Sequence, residues 1–256
     1  MIKKFETMEH NTTTPDVETA SDGYASRFQG SVGEYLLAVQ TEAVTELVRW
    51  PNGSTPLRVL DVGGGHGQLT SLFLDRGCEV WVQGSSPVCQ ARISPFMERY
   101  RGRLHFVASD LWHLPFPNRK FDLVVAIRLL AHVEDWQQLL GEMARVCEGQ
   151  LLVDYAPIAS ANILEPILFH AKRLIEKNTR PYFCYSGRSI RRCLGRLNFG
   201  NFNERKEFFA PMVVHRSLKK PALSRRLEIG FSGLGLTALL GGPVLLSASR
   251  ANRGEP

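Results

Sequence analysis

Between residues 58 and 155, short apolar runs alternate with stretches in which apolar residues recur every three or four positions. The runs Arg58–Val62, Cys78–Gln83, Leu104–Ala108, Phe121–Ile127 and Gln150–Asp154 are largely uninterrupted by polar residues, which predicts strands buried on both faces. After Asp135, Trp136, Leu139, Leu140, Met143 and Cys147 share one helical face, with Asp135 placed as an N-cap and Gly149 just past the end. This alternation predicts an α/β fold with a parallel sheet and helices on both sides. Residues 34–49, with Leu36, Leu37, Val39, Ala43, Val44 and Leu47, read as a helix preceding the first strand.

The flanks are less regular. Residues 1–50 read as a polar lead-in followed by a helical lid, 51–155 as the binding core, 156–206 as a helical insertion on the substrate side, and 207–256 as closing strands of the same sheet. In the insertion, Ile190, Cys193, Leu194 and Leu197 form one helical face, and Arg188, Arg191, Arg192 and Arg196 crowd the remainder. Residues 230–247 are uncharged and about as long as a short membrane span. Gly241-Gly242-Pro243 would break a helix there, so the reading is a helix over 231–240 and a closing strand Val244–Ala248.

Composition narrows the function classes. A chain of 256 residues buries one full core, and 44% hydrophobic with 22% charged residues is ordinary for a globule. The net charge of +6 gives a mildly basic surface, without the basic tract and interleaved aromatics of a nucleic-acid binder. Five scattered cysteines, never spaced C-x-x-C, point to reduced thiols, a cytoplasmic protein and no metal site. The first residues hold no apolar stretch long enough for a signal peptide.

The chemistry concentrates at Leu60–Leu69, LDVGGGHGQL. A strand turns there into a helical pattern through glycines that tolerate positive φ and leave backbone bare. The dinucleotide spacing G-x-G-x-x-G fails, because Gln68 stands where its last glycine belongs, and no Gly-Lys-Ser/Thr follows for a phosphate loop. What remains is Asp61, Gly63, Gly65 and Gly67 in the spacing acid-x-Gly-x-Gly-x-Gly. This resembles motif I of the class I S-adenosylmethionine-dependent methyltransferases, in particular the small-molecule, type 11-like enzymes. The resemblance implies a Rossmann-like, doubly wound, mostly parallel seven-stranded sheet with an antiparallel last strand and a helical cap.

The same resemblance implies roles for further residues. Asp61 would organise the loop near the methionyl amine of S-adenosyl-L-methionine, and the three glycines would admit its sulfonium side, as they would the product S-adenosyl-L-homocysteine. Ser109–Phe116, SDLWHLPF, is similar to the segment in which Asp110 would accept from the adenine amino group and the Leu111 N–H would meet a ring nitrogen. In Phe121–Asp135, Ile127 and Arg128 would line the methionyl side, and His132 at the mouth is the candidate general base. Tyr24-Ala25-Ser26-Arg27-Phe28 looks like a lid segment, in which Tyr24 would cap the sulfonium and Arg27 would pair with the cofactor carboxylate. The chain departs from the family at the end of the second strand. Gly84 stands where relatives carry the ribose-binding acid, leaving Gln83 or Ser85 to offer a neutral hydrogen bond.

A sulfonium is already a strong electrophile, so methyl transfer needs mainly in-line positioning, and a base only where the acceptor must lose a proton. Apolar residues from Ile163 to Ile175, with basic neighbours, suit a quinone- or lipid-like acceptor and peripheral membrane contact, and equally a covered pocket for a polar metabolite. Two readings stand: a small-molecule methyltransferase, or a methyltransferase-like fold that binds or partners without turnover. The oligomeric state is not legible.

Overall fold

The computed structural model describes residues 15–51, 53, 55–160 and 183–251. Its strands are β1 (Arg58–Val62), β2 (Glu79–Gly84), β3 (Leu104–Ala108), β4 (Phe121–Ala126), β5 (Cys147–Pro157), β6 (Cys184–Tyr185), β7 (Phe199–Phe208) and β8 (Gly242–Arg250). The sheet runs β3-β2-β1-β4-β5-β8-β7, with β6 paired to β5 off that path. Neighbours from β3 to β5 are parallel, and β8 lies antiparallel between β5 and β7. The chain therefore winds outward from β1 to β3, then returns to place β4 on the other side of β1. That reversal opens a crevice beyond the carboxyl ends of β1 and β4, where open α/β sheets bind ligands.

The apolar runs are explained by two cores, one on each face. Leu60, Val62, Val124, Leu151 and Val153 pack with Leu139, Leu140 and Met143 of the helix Trp136–Val146 and with Ile190 and Leu194 of the helix Gly187–Arg196. Val59, Leu123, Val125 and Leu152 pack with Ala43 and Val44 of the helix Gly30–Leu47 and with Leu69, Phe73 and Leu74 of the helix Gln68–Asp75. Burying each such large side chain contributes about 2 kcal/mol. The central strands are thus pinned from both sides, which fixes the loops at their carboxyl ends.

Several expectations change. β7 falls largely within the stretch expected to be helical; its sequence, FGNFNERKEF, carries no apolar run because it is a sheet edge whose middle is exposed to half-buried. The helix expected over 231–240 is two helices, Pro221–Gly233 and Leu236–Leu240, separated by Gly235 at φ 73°. The closing strand reaches two residues beyond Val244–Ala248 at each end. In the described part of the lead-in, one-turn helices Asp16–Thr19 and Asp22–Ala25 and a 3₁₀ turn Ser26–Phe28 lie over the glycine loop, burying Asp16, Ala20, Tyr24 and Phe28. The apolar segment 163–175 lies outside the described residues. Among the described residues no helix is long and apolar enough to cross a membrane.

Candidate cofactor site

The glycine loop forms as its spacing requires. Gly63 and Gly67 adopt φ of 67° and 74°, and the Gly67 N–H closes the turn on the Gly64 carbonyl at 2.9 Å. A Cβ on Gly64 would overlap the Asp61 carboxyl, so backbone is held against that acid. Asp61 is 4% exposed, and burial pushes its carboxyl up to about 7. Its ionised form is therefore poorly solvated by the protein and calls for a cation.

Across the crevice stands Arg128, just past β4. Its backbone is left-handed at φ 61°, held by its N–H donating to Asp154 Oδ1 at 2.6 Å. Asp154 is itself pushed up to about 6 by burial, against the opposing effect of the Arg128 N–H and charge. The Arg128 guanidinium lies 4.0 Å from the centre of the Phe28 ring, and its Nε and Nη1 are buried without a hydrogen-bond partner among the described residues. A buried guanidinium with idle donors calls for an anion. Tyr24 and Phe28 meet His66 edge to face, each with ring centres 5.7 Å apart. Burial, aided by the Arg128 and Arg92 charges, lowers His66 to about 4, so its ring is neutral at pH 7.

Tyr24, Asp61, Gly63, Ile127 and Arg128, five of the residues singled out in the sequence, line one cavity together with His66. Its volume is about 20 Å³, room for a single water. A larger open groove of about 950 Å³ runs between the helices Gly30–Leu47 and Gln68–Asp75 past Thr41 and Ser71. It shares His66 but does not reach Asp61 or Arg128. The crevice, with Asp61 and Arg128 at the switch point, is the candidate site; the groove carries Glu34, Glu42, Arg76 and Arg92 but lies away from both.

The remaining candidates are placed differently. Gln83 is wholly buried beside Val62, its register partner. Its Oε1 accepts the Gly63 N–H at 3.2 Å, and its Nε2 donates to the Ser109 carbonyl at 2.8 Å. Both ends of the amide are thus used to clamp the loops after β1 and β3, which makes Gln83 a positioning residue. Asp110, half-exposed beyond β3, accepts the Trp112 N–H at 2.8 Å and pairs with His113 at 2.9 Å, which together hold its carboxyl below the usual range. Leu111 is fully buried. Neither residue lines the small cavity. The Arg27 guanidinium lies 5.3 Å from the Tyr24 ring centre, on the lid rather than in the crevice. His132 sits half-buried in the turn Leu130–His132, outside the cavity. The chain returning from the insertion passes there, with the Phe183 N–H donating to the Ala131 carbonyl at 2.8 Å and the Tyr185 hydroxyl to the Val133 carbonyl at 2.6 Å.

Besides Asp154, two further buried acids near the crevice were not singled out in the sequence. Asp16 sits at the end of β2, and Glu207, near the end of β7, is raised to about 8, first by burial and then by the Asp154 charge. Glu207 lies in a polar edge strand that gives no periodic signal, and Asp16 in a segment that reads as unstructured.

Comparison with known proteins agrees with this geometry. Residues 34–203 match the methyltransferase domain family. A malonyl-[acyl-carrier protein] O-methyltransferase of Chlorobium luteolum is 30% identical over 148 residues, covering 54% of this chain and 56% of its own. A ubiquinone/menaquinone biosynthesis C-methyltransferase UbiE of Stenotrophomonas maltophilia is 32% identical over 152 residues, covering 53% and 59%. The chain thus spans little more than half the length of the curated relatives it matches. Among solved structures, magnesium protoporphyrin IX methyltransferase from Synechocystis, with bound S-adenosylhomocysteine, superposes with a TM-score of 0.61 at 18% identity, covering 90% of this chain and 94% of that one. With fold, glycine loop and match in agreement over two thirds of its length, the chain belongs to the methyltransferase domain family.

Proposed function

We propose that the chain binds S-adenosyl-L-methionine in the crevice between β1 and β4 and methylates a small-molecule acceptor. The observation that carries this reading is the buried Asp61 carboxyl, raised by burial with no charged neighbour offsetting it, in one cavity with Arg128, whose Nε and Nη1 have no hydrogen-bond partner among the described residues although Asp154 and Glu207 lie near its charge. An amino-acid zwitterion satisfies both: Asp61 would take its ammonium and Arg128 its carboxylate. When bound, the cofactor supplies a methyl group already activated on sulfonium. Asp61, Arg128 and the bare backbone of Gly63–Gly65 hold that group in place, Tyr24 and Phe28 exclude water above it, and Gln83 fixes the loops on which it rests. His132, at the mouth beside the insertion, is the group positioned to take a proton where the acceptor must lose one.

The acceptor is read as hydrophobic, quinone- or lipid-like. The quinone and acyl-carrier names of two relatives support this. So do Ile229 and Leu239, exposed on the helices Pro221–Gly233 and Leu236–Leu240, and Leu234, exposed between them, close in sequence to Lys219, Lys220, Arg225 and Arg226. That combination also suits peripheral contact with an anionic membrane. Gly84 and the filled crevice favour a second reading, a family member that binds without turnover.

Turnover separates the two. Incubation with methyl-tritiated S-adenosylmethionine and a panel of quinone precursors, prenyl phosphates and acyl thioesters should carry label into the organic phase. Cofactor binding without transfer to any of them, or to a polar-metabolite panel, would favour the second reading.

A further inference from the structure

This inference rests on the cofactor reading above. In doubly wound sheets, an acid about twenty residues after the glycine turn hydrogen-bonds the nucleotide ribose from the end of the second strand. β2 ends here in Gly84, and no side chain fits: a Cβ there would stand 2.6 Å from Cys89 Cβ. Gln83 is committed to Gly63 and Ser109. Yet a carboxylate does lie at this point. Asp16, 69 residues earlier in the chain than Ser85, is 0% exposed and accepts the Ser85 N–H at 2.7 Å, the Ser85 hydroxyl, and the Cys89 thiol at 3.5 Å. A Cβ on Gly63 would be 3.5 Å from Asp16 Cβ. The carboxyl therefore stands between the carboxyl ends of β1 and β2.

Docking of the N-terminal segment does not require an acid there. Ala20 already packs over Gly65, Tyr24 and Phe28 pack on His66, and Arg92 anchors the segment through the Ala20 carbonyl at 3.0 Å and Asp22 at 2.6 Å. Three donors meet the buried carboxylate, as burial of a charge requires, and they hold it at the ligand crevice. We propose that Asp16 is the carboxylate that hydrogen-bonds the cofactor ribose, delivered by the N-terminal segment in place of the acid missing from β2. Among its partners the Ser85 backbone N–H is fixed, whereas the Ser85 hydroxyl and Cys89 thiol are weaker or rotatable donors that ribose hydroxyls can replace. Tyr24, in the same segment, lines the Asp61 cavity. The one segment, residues 16–28, thus sets an aromatic ring and a carboxylate against adjacent parts of the cofactor.

The test is calorimetric titration of wild type and Asp16→Asn with S-adenosylhomocysteine and with its 2′,3′-dideoxy counterpart, with thermal melting as the control for folding. Asp16→Asn should weaken S-adenosylhomocysteine binding about ten- to a hundredfold, the range of a hydrogen bond to a charged group. The dideoxy ligand should bind both proteins alike. Asp16→Ser, if the asparagine variant does not fold, should give the same pattern. Unchanged or tighter S-adenosylhomocysteine binding by the variant would overturn the assignment, the latter showing that Asp16 obstructs the ribose place. Equal losses for both ligands would also overturn it and leave Asp16 a docking role. No binding by wild type would instead take down the cofactor reading, and this assignment with it.

Discussion

Asp61→Asn should weaken S-adenosylhomocysteine binding about a hundredfold at pH 8 and remove most of its dependence on pH, while leaving 5′-methylthioadenosine, which has no amino-acid group, unaffected. Losing a hydrogen bond to a charged group costs up to about 3 kcal/mol, which sets the hundredfold scale. The pH arm follows from burial, which raises the Asp61 carboxyl to about 7. Only the ionised carboxylate can hold an ammonium, so binding releases a proton wherever Asp61 starts protonated. Wild-type affinity should therefore rise about tenfold between pH 6 and pH 8 and level off above it. Asp154, raised to about 6, and Glu207, raised to about 8, also titrate in this range. The Asn variant separates Asp61 from both: a pH slope as steep in the variant as in wild type would contradict the role given to Asp61.

Gly84→Asp should lower the melting temperature by about 3–10 °C and bring no gain in cofactor affinity, although it restores the acid that relatives carry. The added Cβ would lie 2.6 Å from Cys89 Cβ, 3.2 Å from its sulfur and 3.2 Å from the Phe106 ring. Overpacking of this kind costs about 1–3 kcal/mol, which at this chain length gives the stated shift. The new carboxylate would also crowd that of Asp16 at Ser85. The double variant Gly84→Asp/Cys89→Gly removes the clash and should recover most of the lost melting temperature. A single variant that melts like wild type and binds more tightly would show that the end of β2 is open after all.

The glycine loop and the strands β1, β2, β4 and β5 were legible because these strands are mostly buried and announce themselves as apolar runs, and β3, half-buried at the other sheet edge, through its apolar Leu104, Phe106 and Val107. β7 was not, because an edge strand needs no such run: Asn201, Asn203, Glu204 and Arg205 lie in its exposed to half-buried middle. Asp61, Gly63 and Arg128 were legible as parts of local motifs, whose geometry is set within a few residues. Gln83 was expected to serve the ligand; the structure spends its amide on Gly63 and Ser109, contacts made across 20 and 26 residues. Asp16 was invisible for the same reason taken further. Its partners lie 69 and 73 residues away, and a polar segment with no periodicity gives no hint of a buried carboxylate.

The most direct test of the account is titration of the wild-type protein with S-adenosylhomocysteine at pH 8. The opposed charges of Asp61 and Arg128 predict saturable one-to-one binding in the micromolar range, about −8 kcal/mol. No heat and no stabilisation against melting at millimolar ligand would contradict it, and would mean that the N-terminal segment holds the crevice permanently.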